Sequence, residues 1–133
     1  MNKTILITGA AKRIGKEIAL TFSDMNWNVI IHYNSSQKDA EELKNLINKK
    51  NPDSAKIIQA NLDNDSDVER MISESKSCFD SIDMLVNNAS TFYPTPIDDA
   101  SNEDWDKLIG SNLKGPLFLI KGLKSHLSSS NGS

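Results

Sequence analysis

The chain has 133 residues, of which 38% are hydrophobic and 25% charged, and this is the composition of an ordinary globular domain in water. Its formal net charge of −3 argues against nucleic acid as a partner, because neutralising phosphates requires a basic surface. No apolar run approaches the ~20 residues of a membrane span, and no signal-peptide pattern is visible. With one cysteine, Cys78, the chain suits a reducing compartment, so we expect a cytoplasmic protein without a membrane partner.

The first predicted element is a strand that leads into a glycine-containing turn. Thr4–Ile7 is a run of β-branched and aliphatic residues, typical of a strand buried on both faces. Gly9 then permits a tight turn, because a residue without a Cβ can adopt positive φ and approach a ligand closely. From Arg13 onward the spacing becomes helical, and the start of a helix there would direct free N–H groups and a positive dipole end at a phosphate. The apolar residues placed on one face of this helix are Ile14, Ile18, Phe22 and Met25.

The rest of the chain alternates strand patterns with helix patterns. We predict strands over 29–33, 55–59 and 84–87, helices over 37–50, 66–79 and about 102–127, and a proline-rich loop over 91–100. Such alternation implies right-handed crossovers and a parallel sheet, so the fold class is α/β, a Rossmann-type doubly wound sheet. No repeat or linker interrupts the pattern, and we predict one dinucleotide-binding domain over 1–133.

Residues of unusual type lie at the end of each predicted strand or directly after it. These stretches are 9–15, 32–36, 61–62 and 88–92. Sheets of this type bind ligands beyond the carboxyl ends of their strands, where the strand order reverses. We therefore expect the four stretches to meet in one ligand site.

The glycine turn and a later segment resemble one known family. Thr8-Gly9-x-x-x-Arg13-x-Gly15 resembles the cofactor turn of the short-chain dehydrogenase/reductase family, usually T-G-x-x-x-G-x-G. Arg13 replaces the middle glycine, as it does in the pteridine reductase branch, whose turn is similar to T-G-A-A-K-R-[LI]-G. The segment 86–96 also resembles that branch's N-N-A-S-x-F-Y-P-T-P, and stretches 31–36 and 59–62 agree. The resemblance covers nearly the whole chain and implies strand order 3-2-1-4, a small-molecule substrate and a homo-oligomer when the protein is intact.

The end of the second strand favours NADP(H) over NAD(H). NAD sites of this type place an acidic residue there to bind the ribose 2′-OH, but no acid precedes Asp39 here. A carboxylate would repel a 2′-phosphate, whereas serine hydroxyls and backbone N–H groups can donate to it, and Arg13 supplies a charge nearby. Pteridine reductases often carry arginine where this chain has Ser35.

The resemblance also implies roles for individual residues. Asn61 would accept a hydrogen bond from the adenine amino group, Asn88 and Ala89 would support the ribose, and Ser90 would face nicotinamide and substrate. Phe92 would stack on a flat heteroaromatic substrate; alternatively it is a loop aromatic that covers the core. No metal site is expected. The residues assigned to the cofactor are Gly9, Arg13, Ile14, Gly15, His32, Tyr33, Asn34, Ser35, Ser36, Asn61, Leu62, Asn88, Ala89 and Ser90, and those assigned to the substrate are Arg13, Ser90 and Phe92.

Asn112 matches the asparagine of the family's catalytic tetrad, whose backbone carbonyl holds a water in the proton relay. Pro116 lies four residues later and has no N–H to donate to that carbonyl. We predict that Pro116 frees the carbonyl to bind water and kinks the helix. The alternative is that residues 115–116 only mark a helix break.

The family's catalytic Tyr-x-x-x-Lys is not found in these 133 residues. The tyrosines are Tyr33 and Tyr93, and the residues four positions later are Gln37 and Ile97. The last six residues resemble the turn that leads into the family's fifth strand. The chain therefore resembles an amino-terminal half, with later strands missing and the fourth strand left as an open edge, and we expect it to be inactive alone and to bind dinucleotide weakly.

The leading hypothesis is an NADP(H)-dependent reductase of a pteridine-like substrate. A 3-oxoacyl reductase, or a sugar-type dehydrogenase, is the alternative within the same fold. A catalytically inactive nucleotide-binding module is the alternative of another class. A methyltransferase of similar topology ranks third, because it would want an acidic residue at the end of strand two and none is present.

Overall fold

The computed structural model describes residues 2–133 and contains a four-stranded parallel sheet in the order β3-β2-β1-β4, which confirms the predicted fold class and strand order. The strands are β1 (Thr4–Ile7), β2 (Asn28–Tyr33), β3 (Ala55–Gln59) and β4 (Met84–Val86). The helices are α1 (Arg13–Asp24), α2 (Gln37–Lys50), α3 (Asp65–Cys78), α4 (Asn102–Ile109) and α5 (Gly115–Ser129), with a 3₁₀ turn at Ile97–Asp99 and a π-helical turn at Gly110–Lys114.

Both faces of the sheet are covered by helices. Alternate residues of the central strands point to opposite faces, so Ile5 and Ile31 pack with α1 and α2, while Leu6 and Ile30 pack with α3 and α5. All four residues of β1 are buried, as its continuous apolar run predicts. The carboxyl ends of the strands are therefore left as the open edge at which a ligand can be reached.

Four element ends differ by one residue from the prediction: the start of β2, both ends of α3 and the end of β4. Two of these differences have a visible local cause. The predicted strand over 84–87 ends at Val86, because the Asn88 N–H donates to the Val86 carbonyl at 3.0 Å and turns the chain. The predicted helix over 66–79 begins at Asp65, because the Asn64 side chain caps it by accepting from the Asp67 N–H.

The buried face of α1 is not the predicted one. Ile14 is 70% exposed and Met25 is 59% exposed, while Ile18 and Phe22 are only half-buried. The innermost residues of α1 are small ones, Gly15, Ala19 and Ser23. Gly15 must be small because α1 begins in close contact with the glycine turn, and the apolar period of the sequence carries no signal of that contact.

The helical pattern predicted over 102–127 is also interrupted. It begins at Asn102, where Ser101 and Asp104 form a capping box, but the α geometry stops at Ile109. Within the π-helical turn the Gly115 N–H donates to the carbonyl of Gly110, five residues back. Pro116 follows at once, and the break in the α pattern spans Asn112. Among residues 2–133, none of the helices has both the length and the apolarity that crossing a bilayer requires.

The outer edge of β4 is not entirely open, in contrast to our expectation. The Ser133 N–H donates to the Asp83 carbonyl at 2.9 Å, and the Leu85 N–H donates to the Ser133 carbonyl at 2.8 Å. Ser133 thus bonds to Asp83 and Leu85, the residues on either side of Met84, and this is the hydrogen-bond pattern of two parallel strands. Gly132 makes this approach possible, since a Cβ there would lie 2.2 Å from the Asp83 carbonyl oxygen.

Candidate functional site

A cleft of about 560 Å³ lies at the carboxyl ends of the strands. It is bounded by the glycine turn after β1 and by the segments that follow β2, β3 and β4, so the structure brings the four predicted stretches together. The predicted site residues that line it are Gly9, Arg13, Ile14, His32, Tyr33, Asn34, Ser35, Ser36, Asn61, Leu62, Asn88, Ala89 and Ser90.

Three predicted site residues lie outside the lining of this cleft. Gly15 is buried behind the turn, and its backbone faces Gly9 and Asn88. Phe92 is 88% exposed and follows the lining residues of its loop, so it does not cover the core. Asn112 contacts that loop through its side chain instead of facing the cleft.

The glycine turn is packed as closely as its backbone allows. Gly9 has φ +61°, and a Cβ there would lie 3.0 Å from the Ala89 Cα. A Cβ on Gly15 would lie 2.3 Å from the Gly9 carbonyl oxygen. Lys12 precedes α1 and its side chain makes no capping hydrogen bond, so the first N–H groups of α1 are left for a ligand. Such a turn fits a pyrophosphate, whose oxygens accept N–H bonds and whose charge suits the helix dipole.

Thr8 and Asn88 join the glycine turn to the end of β4. The Thr8 hydroxyl oxygen accepts from the N–H groups of Asn88, at 3.0 Å, and Ala89, at 2.9 Å. The Asn88 side chain donates back to the carbonyls of Thr8, at 3.0 Å, and Gly9, at 3.1 Å. Thr8 is 1% exposed, and these four partly buried bonds fix the two loops relative to each other.

The segment after β3 is held by carboxylate and amide groups of its own. The Asn61 N–H donates to the Asp67 carboxylate at 2.7 Å, and this bond, supported by Arg70, holds the pKa of Asp67 below its ordinary value. The Asn61 side-chain oxygen accepts from the Asp63 N–H at 3.3 Å, which leaves one lone pair of that oxygen for a ligand.

Asn112 holds the loop that follows β4. Its side-chain oxygen accepts from the Thr91 N–H at 2.9 Å, and its side-chain nitrogen donates to the Thr91 carbonyl at 2.7 Å. The prediction for Asn112 was that its backbone carbonyl binds a water, and this stays a prediction. The contact of its side chain with Thr91 was not predicted. Thr91 lines the cleft, so Asn112 sets the position of one wall.

A sequence profile described as short chain dehydrogenase matches residues 3–133 of the chain. The chain belongs to the short-chain dehydrogenase/reductase family. It is 39% identical over 121 residues to a 3-oxoacyl-[acyl-carrier-protein] reductase FabG of Staphylococcus epidermidis, which covers 91% of this chain and 49% of the relative. It is 35% identical to a short-chain type dehydrogenase/reductase of Picea abies, over 85% of this chain and 44% of the relative. A hydroxynaphthalene reductase-like protein Arp2 of Metarhizium guizhouense is 31% identical, over 94% of this chain and 46% of the relative.

The chain thus spans about half the length of the curated short-chain dehydrogenase/reductase relatives that it matches. These matches establish that the chain is a member of the family. The parallel sheet and the glycine turn at the end of β1 agree with that membership. None of the three relatives described above is named a pteridine reductase, so the finer branch stays a prediction from the motifs.

Several lining residues had no individual role in the prediction, although Ala11, Lys12 and Thr91 lie within the predicted stretches 9–15 and 88–92. Lys12 faces the cleft and pairs with Asp39 at 3.4 Å. Its position beside Arg13 in the glycine turn could have indicated from the sequence that it lines the site. Lys107 and Ser111 come from α4 and the π-helical turn, and nothing in a helical pattern indicates that they reach a distant strand end. The lining residues without a predicted role are Ala11, Lys12, Asp63, Thr91, Lys107 and Ser111.

Arg13 has φ +50°, in the left-handed region, at the position where most family members carry glycine. A residue with a Cβ in this region costs about 1 kcal/mol relative to glycine. We therefore expect Arg13→Gly to raise the free energy of unfolding by about 1 kcal/mol and to weaken dinucleotide binding, because a positive charge leaves the cleft. Urea denaturation and calorimetric titration with NADPH measure the two effects. A variant that is less stable than the parent would contradict the assignment of strain to Arg13.

Proposed function

We propose that residues 1–133 form the dinucleotide-binding domain of an NADP(H)-dependent reductase of this family. The observation that carries the proposal is the convergence of the uncapped α1 start with the ends of β2, β3 and β4 in one cleft. When bound, the nicotinamide cofactor supplies the hydride that reduces a substrate. The chain's own residues bind and orient: the turn from Gly9 to Arg13 binds pyrophosphate, and Asn88 and Ala89 support the adjoining ribose.

The preference for NADP(H) is supported by the charges around the end of β2. Ser35 and Ser36 line the cleft there, and no carboxylate lies between His32 and Ser36. Asp39 is the next acid, and Lys12 already pairs with it at 3.4 Å. Lys12 is 53% exposed, so its ammonium can turn from Asp39 to a 2′-phosphate without losing a buried contact.

Two substrates are proposed, on different grounds. A pteridine-like substrate is supported by the motif over 86–96 and by the positions of Arg13 and Ser90 in the cleft, with exposed Phe92 beside it. A 3-oxoacyl thioester is supported by the names of the 39%-identical relatives. Quenching of tryptophan or tyrosine fluorescence by a pterin, added to the NADPH-bound chain, favours the first substrate, and no quenching favours the second.

We also propose that residues 1–133 bind dinucleotide without reducing a substrate, because they contain no Tyr-x-x-x-Lys to supply the proton. A homo-oligomer is proposed for the intact, cytoplasmic protein. Apolar side chains that are about half exposed or more on α4, the π-helical turn and α5 support it, and these are Trp105, Leu113, Leu117 and Ile120. If the chain never binds a dinucleotide, a module of another kind becomes the better account.

Calorimetric titration of the chain with NADPH and with NADH tests the cofactor proposal. We expect NADPH to bind about tenfold more tightly, which corresponds to about 1.4 kcal/mol and is within reach of one added charge pair. Lys12→Ala should remove most of that preference while it leaves NADH affinity unchanged. Lys38→Ala is the matched control, because Lys38 is an exposed lysine of α2 outside the lining of the cleft. Equal affinities for the two dinucleotides would overturn the NADP(H) assignment.

A further inference from the structure

His32 is a buried histidine whose two ring nitrogens both have partners. The residue is 2% exposed and lies between the glycine turn and the end of β3. The Gly9 N–H donates to Nδ1 at 3.0 Å, and Nε2 lies 2.9 Å from the carbonyl oxygen of Ala60. A carbonyl oxygen can only accept, so Nε2 carries the proton, and Nδ1 must be bare to accept from Gly9. The two contacts together allow one neutral tautomer of the ring.

We propose that His32 is a positioning residue that holds the first amide of the glycine turn, and that protonation of its ring releases the turn. A proton on Nδ1 would place two N–H donors, those of His32 and Gly9, against each other at a ring that is only 2% exposed. One contact must then break, and the Ala60 contact still suits a charged ring. The Gly9 contact is therefore the one that is lost. For dinucleotide affinity this inference rests on the proposed function; for the state of the ring and the turn it does not.

Within residues 2–133, no charged neighbour opposes this neutral state. Burial lowers the pKa of His32 from its ordinary value of 6.5, and the Ala60 carbonyl offsets part of that effect. Charged side chains on the surrounding segments do not contribute to the shift. In the turn, Lys12 pairs with Asp39 and Arg13 is exposed; beyond β3, Asp67 holds the Asn61 N–H and Asp63 is half-buried at the surface.

The direction of the pH dependence follows from the lowered pKa. The unfolded chain takes up a proton near pH 6.5, and the folded chain does so only at lower pH. The contribution of His32 is therefore complete above pH 6.5 and is lost as the pH falls through the lowered pKa. An imidazolium that simply attracted phosphate would produce the opposite trend, with tighter dinucleotide binding at low pH. The sign of the change separates a positioning role from a direct one.

Two substitutions separate the two contacts of the ring. In His32→Asn the side-chain oxygen lies near the position of Nδ1 and can still accept from Gly9, but the Ala60 contact is lost. In His32→Gln the side-chain nitrogen lies near the position of Nε2 and can still donate to Ala60, but the Gly9 N–H loses its acceptor. Neither side chain titrates, and each variant keeps one of the two bonds. His126→Gln is the control, since His126 is the other histidine and lies on α5.

Nitrogen-15 NMR of the ring and of the Gly9 amide decides the question in the chain without dinucleotide. We expect a bare Nδ1 and a protonated Nε2 at pH 7.5, and loss of Gly9 amide protection as the pH falls through the lowered pKa of His32. His32→Asn should keep that protection at all pH values, and His32→Gln should lose it by about tenfold at every pH. A ring protonated on Nδ1 at pH 7.5, or a Gly9 amide equally protected in both variants, would overturn the proposal.

NADPH titration of the same proteins adds the functional readout. His32→Asn should retain affinity within about threefold and lose the decline below pH 6.5, whereas His32→Gln should bind about tenfold more weakly. The expected NMR result without NADPH binding in any variant would refute the proposed function and leave the role of His32 in the turn supported. NADPH binding that tightens at low pH would overturn the positioning role.

Discussion

Replacing Gly15 with alanine is expected to abolish dinucleotide binding and to lower the free energy of unfolding by about 3 kcal/mol. An added Cβ would lie 2.3 Å from the Gly9 carbonyl oxygen, 2.7 Å from the Asn88 side-chain nitrogen and 2.8 Å from the Ala10 Cα. Two of these atoms belong to the backbone, and the third is fixed by its bonds to Thr8 and Gly9. The turn must therefore move away from α1, and the N–H groups that face the cleft move with it. Urea denaturation and NADPH calorimetry measure the two losses.

Glu17→Ala is the matched control for the glycine substitution. Glu17 is exposed and lies on the same helix, two residues further along. Its truncation should change the free energy of unfolding by no more than about 0.5 kcal/mol. If Gly15→Ala were as stable as Glu17→Ala and bound NADPH equally well, the close contact between α1 and the turn would be refuted.

Replacing Thr8 with valine is expected to destabilise the protein by about 2 kcal/mol, a fall of roughly 8 °C in Tm. Valine has nearly the same shape but no oxygen, so the partly buried Ala89 N–H loses its acceptor at 2.9 Å. The Asn88 N–H loses one of two acceptors and keeps the Val86 carbonyl. The loss therefore comes mainly from one unsatisfied donor and from a loosened connection between β1 and β4. Differential scanning calorimetry measures the change.

Thr8→Ser is the control for this second substitution, because serine keeps the hydroxyl and removes only a methyl group. We expect Thr8→Ser to lose about 1 kcal/mol, from packing alone. Identical melting temperatures for the serine and valine variants would show that the hydroxyl has no part in holding the end of β4.

The sequence was sufficient to predict the sheet, but not how closely its parts approach one another. Thr4–Ile7 and the other apolar runs alternate with helical spacing, and this alone predicts parallel strands covered on both faces. The face of α1 was predicted one residue away, at Ile14 in place of Gly15, because the contact with Gly9 acts through tertiary structure. A glycine at such a contact has no apolar side chain, so it does not appear in the spacing of apolar residues from which the buried face of a helix is predicted.

The candidate site, like the fold, was predicted only in part from the sequence. Residues that follow strands directly were predicted, because the carboxyl ends of parallel strands share one edge, and the structure places most of them in the cleft. Connections between distant segments were not predicted. The Asn112 side chain holds Thr91, 21 residues away, and the His32 ring holds Gly9, 23 residues away. The place of His32 at the end of the second strand, with the family resemblance, assigned it to the cofactor, and only the structure shows that its ring bonds to Gly9 and Ala60.

The most direct test of the account is an amide NMR titration of the chain with NADPH. The account predicts that the largest shifts fall on the turn from Gly9 to Ile14 and on the segments that end β2, β3 and β4, at 34–36, 61–62 and 88–90. Shifts confined to other surfaces, or no shifts at millimolar NADPH, would contradict the assignment of this cleft to a dinucleotide.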